Sequence, residues 1–224
     1  MRCCSEKTER LFADMQKIWC SEIINRPDKD FVNLYTHNFE EEWTLGDYEQ
    51  SPFNQIIWGI LLVDGLNKKY KTDTFEFRIN RYYLIVKNEN HRWRFLFDVM
   101  NNPNYNYGPY DYHLIGNYAP IPGNVPLKRS LQFIHRDKGE KWDLFLEYLQ
   151  NNWTNFDMVF SFDEYITLTY QNEYFSGGKP KELRNSEQIK SLIETRGKKI
   201  TDQFLELRKS VLKRYINRSV SSTS

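Results

Sequence analysis

Three cysteines in 224 residues, Cys3, Cys4 and Cys20, are too few and too close to the N-terminus to frame a fold with disulfides. Their odd number and confinement to the first helical region point to a reduced, cytoplasmic setting. There is no CxxC and no Cys/His spacing of the zinc type. Cys3-Cys4 beside the initiator Met reads as a pair of free thiols, with lipid attachment as the alternative. An apolar leader is missing as well: Glu6, Lys7, Glu9, Arg10, Asp14 and Lys17 charge the first twenty residues. The longest apolar run, Ile56 to Val63, falls far short of the roughly 20 residues that span a bilayer, so no membrane partner is expected. GxxxxGK[ST], GxGxxG, HExxH and GxSxG do not occur, which removes the common signatures for cradling phosphates, binding dinucleotides and zinc- or serine-based hydrolysis. Adjacent acids such as Asp163-Glu164 face different sides of a helix and make poor metal sites. No cofactor is expected.

What the chain does have is aromatic mass. Fifteen Tyr, fifteen Phe and six Trp make up 16% of the residues, enough buried area to fill a core despite a polar average. Net charge is +1, but it is unevenly placed. Residues 1–175 hold 19 Lys/Arg against 25 Asp/Glu, and residues 176–224 hold 12 against 5. A basic tail behind an acidic body has two readings: contact with phosphates, or docking against the acidic body of its own or another copy.

The periodicity predicts an α+β fold, an antiparallel β-meander packed against several helices with a long C-terminal helix. Leu11, Phe12, Met15, Ile18, Trp19 and Ile23 recur at helical spacing over 5–25, ended by Pro27. Asp30 to Trp43 is ambiguous, its triple Glu reading as a solvated face. Ser51-Pro52 opens a second helix, buried on most sides, which Asp64-Gly65 is expected to close. From Asp73 the period becomes two: Phe75, Phe77 and Ile79, then Tyr82 to Lys87, then Trp93, Phe95 and Phe97 make three strands with one apolar face. Arg78, Arg92 and Arg94 fall on the other face, either as a basic patch or as solvated positions paired with Glu76 or Glu89. A loop rich in Asn, Pro and Tyr follows over 101–112, with Tyr105 and Tyr107 as adaptable contact residues. A short strand and an irregular turn are expected over 113–122, and helices over 141–152 and 163–175.

Ser176 to Pro180 reads as a linker. The expected organisation is a 1–175 core domain, a 176–185 Gly/Pro linker, a basic amphipathic helix over 186–217 and a disordered 218–224 tail. The stripe Ile189, Ile193, Ile200, Phe204, Leu207, Val211 and Tyr215 approaches a heptad repeat that Gly197 interrupts. It serves either packing onto the same chain or a homodimer.

The least ordinary chemistry lies between 110 and 175. The run LIGNYAPIP, followed by SLQFIHRDKG, KWDLFLEYLQNNW and FDEYITLTYQNEYF, resembles an uncharacterised bacterial family, a domain of unknown function. That family combines an Ile-Gly-x-x-x-Ile/Phe-Pro turn, an Arg-Gly-like segment, a helix beginning Asp-Arg-Trp/Phe-Asp-Leu, and a Phe-x-x-Tyr helix ending in a Gln-containing aromatic motif. This chain departs from it with Glu140-Lys141 before Trp142 and with Arg136-Asp137-Lys138-Gly139. The resemblance implies an origin in bacterial or phage accessory genomes, where defence systems, toxins and inhibitors gather, and it implies no reaction.

Within the same stretch, the candidate site comprises His113, Asn117, Arg129, Gln132, His135, Arg136 and Asp143. His113 and His135 would move protons, Asp143 would orient a histidine, and Arg129 or Arg136 would hold phosphate. Each has an ordinary alternative. His135 to Lys138 suits a charged loop, Asp143 suits the positive end of a helix, His113 suits a hydrogen-bonded place beside a strand, and Asn117 and Gln132 suit loop support. The expected function is a binding protein that contacts protein or nucleic acid. The alternative is a metal-independent hydrolase of RNA or nucleotides.

Overall fold

The computed structural model describes residues 6–31, 51–80, 83–100, 114–123 and 131–221, with the backbone alone for 6–13, 215 and 218–221. Among them are six α-helices, α1 (Glu6–Asn25), α2 (Pro52–Tyr70), α3 (Leu131–Asp137), α4 (Trp142–Asn151), α5 (Phe162–Leu168) and α6 (Ser186–Ser221). A four-stranded antiparallel sheet runs in the order β1 (Glu76–Ile79), β2 (Leu84–Lys87), β3 (Arg92–Val99), β4 (Tyr118–Pro122). The fold is α+β, a meander against helices with a long C-terminal helix. No described helix is long and apolar enough to cross a membrane.

The sheet's inner face is Phe77, Ile79, Leu84, Val86, Trp93, Phe95, Phe97 and Val99, all buried, as the period-two pattern requires. Helix α2 lies against it and comes so close that a Cβ on Gly59 would sit 2.5 Å from the Phe77 ring. Gly65 does not close this helix. A Cβ there would meet Leu168 of α5 at 2.4 Å, so the glycine marks a helix–helix approach. The chain turns instead at Lys71, in the left-handed conformation (φ 48°).

Both sheet edges are covered by side chains. On β1 the Gln16 carboxamide of α1 donates to Phe77 O (3.2 Å) and accepts from Ile79 N (3.1 Å). Gln55 of α2 does the same one step on, donating to Asn80 O (2.8 Å) and accepting from Asn80 N (3.1 Å). Each amide thus imitates a neighbouring strand. On β4, Pro120 and Pro122 have no N–H to leave open. Arg196 of α6 donates to the carbonyls of Gly116 and Tyr118 (both 2.7 Å), and Tyr165 to that of Pro120 (3.0 Å).

Four local expectations are corrected. Ile18 of α1 is 58% exposed, and the buried face runs instead through Gln16, Cys20 and Ile23. The 113–122 segment has its turn first, a 3-10 turn at Ile115–Asn117, and its strand second. The helix expected over 163–175 stops at Leu168. Tyr170 takes a left-handed conformation (φ 57°) and Gln171 N donates back to Ile166 O at 2.8 Å, a glycine-type C-terminal turn built with tyrosine. The segment from His135 to Lys138 is helical through Asp137, not a loop.

Ser176 to Pro180 forms a two-stranded hairpin, β5 (Phe175–Ser176) and β6 (Lys179–Pro180), turning on Gly177 and Gly178 with φ of 59° and 77°. Beyond it α6 is one continuous helix. Its stripe of Ile200, Phe204, Val211 and Leu212 joins the same core as the sheet and α2. The gap at Gly197 has a physical cause. The 3-10 turn packs there, and a Cβ on Gly116 would lie 1.9 Å from Ile193 O and 2.8 Å from Gly197 N. The segment from Val32 to Trp43 lies outside the described residues.

Candidate functional site

His113, Arg129, Tyr105 and Tyr107 lie outside the described residues. Of the remaining candidates, His135 has the most specific surroundings. It is 2% exposed on α3, and its Nδ1 lies 3.2 Å from Asp98 Oδ2 on β3. Asp98 Oδ1 accepts from Val99 N at 2.9 Å. A proton on Nδ1 would be donated to this carboxylate, leaving Nε2 as the ring nitrogen that faces away from it. Nε2 is buried and has no hydrogen-bond partner. Phe145 stacks on the ring (5.0 Å, 30°) and Trp142 meets it edge-on (5.3 Å, 79°). Trp142 is fixed in turn by donating to Gln171 Oε1 at 3.0 Å.

The carboxylate that meets His135 is therefore Asp98, not Asp143, which stands half-buried in the first turn of α4. Arg136, one residue along α3, is exposed and lies over the exposed Phe133 ring at 5.8 Å. About 100° of helix rotation separates the imidazole inside from the guanidinium outside. Gln132 donates to Phe97 O at 2.9 Å and ties α3 to the sheet. Asn117 is buried in the 3-10 turn, where its carbonyl accepts from Met100 N at 2.7 Å. The described candidates do not converge on one cavity.

Helix α3 covers only the β3 end of the outer sheet face, through Gln132 and the Asp98–His135 contact. Ile85, Ala119 and Ile121 on the same face are also buried, while its β1–β3 rows carry a concentration of positive charge. Register places Glu76, Lys87 and Arg92 in one cross-strand row and Arg78, Ile85 and Arg94 in the next. Arg78, Arg92 and Arg94 are exposed and Lys87 is half-buried. Glu76 is the one carboxylate on these rows, 3.0 Å from Lys87 and 3.7 Å from Arg78. Tyr83, on the same face by alternation, carries the Arg94 guanidinium over its ring at 5.3 Å. The alternation Tyr83, Ile85, Lys87 puts β2's contribution on this face and was readable beside the three arginines.

At the cleft between α2 and α5 the charges are paired. This cleft, of about 510 Å³, is floored by Leu61, Leu168 and Tyr170, and on its rim Lys69 pairs with Glu164 and Lys68 with Asp64 at 2.8 Å. The Lys69 hydrogen bond holds the Glu164 carboxyl below its ordinary range. Among the described residues no group of three or more His, Cys, Asp or Glu could hold a metal ion.

Two arginines of α6 are structural. Arg196, 1% exposed, donates to Thr169 O (2.9 and 3.2 Å) as well as to Gly116 O and Tyr118 O, with Trp58 under its plane at 5.3 Å. Burial without a carboxylate pushes its pKa down to about 10. Arg208 donates to Ile23 O at 2.9 Å and to Asp28, over the Phe31 ring at 4.5 Å. No family model, no curated protein and no solved structure matches this chain.

Proposed function

We propose that this protein binds nucleic acid through the outer face of its sheet and acts as a binding protein, not as an enzyme. One observation carries the reading: two adjacent cross-strand rows bring Arg78, Lys87, Arg92 and Arg94 together on one face of the sheet. Strands lie about 4.8 Å apart and same-face residues about 6.8 Å apart along each, so the four cations share a patch small enough to act as one field. Guanidinium groups take phosphate oxygens bidentately, and neutralising phosphates releases counterions. The resemblance of residues 110–175 to an uncharacterised bacterial family supports, within the same proposal, an accessory-genome role of defence, toxin or inhibitor type.

The hydrolase reading is weaker. Of its two proton-transfer histidines, His113 lies outside the described residues, and Nε2 of His135 is enclosed beside Trp142 and Phe145.

Fluorescence anisotropy with a labelled 20-nucleotide strand between 50 and 200 mM salt tests the proposal. The expected result is binding whose log affinity falls with log salt by about 0.7 for each phosphate neutralised on a single strand. The double reversal R92E/R94E is expected to cost at least tenfold in affinity and to flatten that slope, with the circular dichroism of the fold unchanged. A wild type that binds nothing at 50 mM salt, or a reversal that binds with the same affinity and slope, overturns it.

A further inference from the structure

Helix α5 ends in a turn whose geometry suits glycine, yet the residue there is Tyr170, with φ of 57°. Lys71, Glu140 and Asp157 are the other described non-glycine residues with positive φ, and Tyr170 is the aromatic one. A bulky side chain in this conformation is strained, and such strain gathers where the side chain itself is used. The surroundings enforce it: Gln171 N donates to Ile166 O at 2.8 Å, and Arg196 holds the carbonyl of Thr169. The ring leans on Trp58 at 6.3 Å and lines the cleft between α2 and α5. Its hydroxyl makes no hydrogen bond among the described residues. Burial pushes the phenol up to about 12, so at neutral pH the hydroxyl keeps a proton to donate.

At about 510 Å³ the cleft falls among small-molecule sites, which span roughly 300–1,000 Å³. Leu61, Leu168 and the Tyr170 ring make its floor apolar. Gly65 sets α2 so tightly against α5 that a Cβ would sit 2.4 Å from Leu168. The base of the cleft is therefore a narrow slot, which suits a flat ring. A charged ligand would have to break an ion pair on the rim, because Lys68 and Lys69 are taken by Asp64 and Glu164. Asp163 stands in the first turn of α5, where the positive end of the helix meets it. We infer that this cleft binds an uncharged aromatic small molecule, its ring in the slot and one acceptor atom on the Tyr170 hydroxyl. No residue of the cleft belongs to the outer sheet face, so occupancy here and nucleic-acid binding there are separable.

Probes of one shape and differing charge decide the class: 2-naphthamide, 2-naphthoate and 2-naphthylmethylammonium. Each is titrated against the full chain and followed by amide nitrogen–proton spectra. The uncharged 2-naphthamide is expected to shift the amides of Gly65, Leu168 and Tyr170 along one saturating curve. Its Kd should be about 0.1 mM, the order for a ligand of about thirteen heavy atoms. Both charged probes should bind about tenfold more weakly, since each must displace a rim partner. Tyr170→Phe, which keeps the ring and loses the hydroxyl, should weaken 2-naphthamide about fivefold. Thr167→Phe, at an exposed position on the cleft wall, should fill the mouth and abolish binding, with the thermal midpoint unchanged. No saturating shift at the cleft, or an ion bound as tightly as the amide, overturns the inference. So does affinity that neither variant alters.

Discussion

At the residue scale the molecule's unusual expense is Arg196. A guanidinium taken out of water with no carboxylate beside it is held by three backbone carbonyls, Thr169 O, Gly116 O and Tyr118 O, and by the face of Trp58. Replacing it with Met removes the cost of burying a charge but strands those acceptors in the interior. Each unpaired buried carbonyl costs about 1–3 kcal/mol. Arg196→Met is therefore expected to lose about 3 kcal/mol, seen as a lower urea midpoint with an unchanged denaturant slope. An unchanged midpoint would mean that the carbonyls find other donors. Cys20 shows the same physics with the opposite sign: burial pushes its thiol up to about 12, so the thiolate needed for reaction is suppressed in the folded chain.

At the element scale, close approach sets the positions of the helices. Glycine-to-alanine changes commonly stabilise a fold by restricting the unfolded chain, but Gly116→Ala is expected to do the reverse. Its methyl would press into the α6 backbone at Ile193 O, and overpacking of this kind costs about 1–3 kcal/mol. Thermal melting checks it, and a midpoint at or above that of the wild type would refute the contact. The same approach explains what could be read from sequence and what could not. The meander, the buried α2 and the helix at 142–151 announce themselves through local periodicity, because every second or every third-to-fourth residue answers to one core. Gly65, Gly116 and Gly197 look like breakers in the sequence, yet they are places where a distant backbone or side chain needs room, and no local pattern records that. His135 and Asp98 lie 37 residues apart. Their pairing depends on α3 crossing the end of β3, so the near neighbour Asp143 was the natural but wrong partner. The basic face was legible in outline from Arg78, Arg92 and Arg94. The share of Lys87 and Tyr83 in it was readable too, from the alternation along β2, and the register showed which arginines they stand beside.

At the scale of the whole molecule, a single core runs through sheet, α2 and α6, so side chains from distant parts of the sequence report on one unfolding event. Burial raises the phenols of Tyr170 and Tyr174 to about 12 from the ordinary value near 10, and raises that of Tyr165 as well. A folded pKa above the unfolded one gives stability that is complete below pH 10 and lost as pH climbs from about 10 toward 12. Absorbance at 295 nm is expected to rise in two stages, exposed tyrosines near pH 10 and the buried set later, together with loss of the near-ultraviolet circular dichroism. A single smooth titration centred near 10 with the fold intact would contradict the burial of these rings.

The covering of both sheet margins by Gln16, Gln55, Arg196 and Tyr165 has a consequence for association. No incoming peptide can extend the meander by main-chain pairing without first evicting one of those side chains. Growth of fibres by strand addition is thereby blocked at both ends.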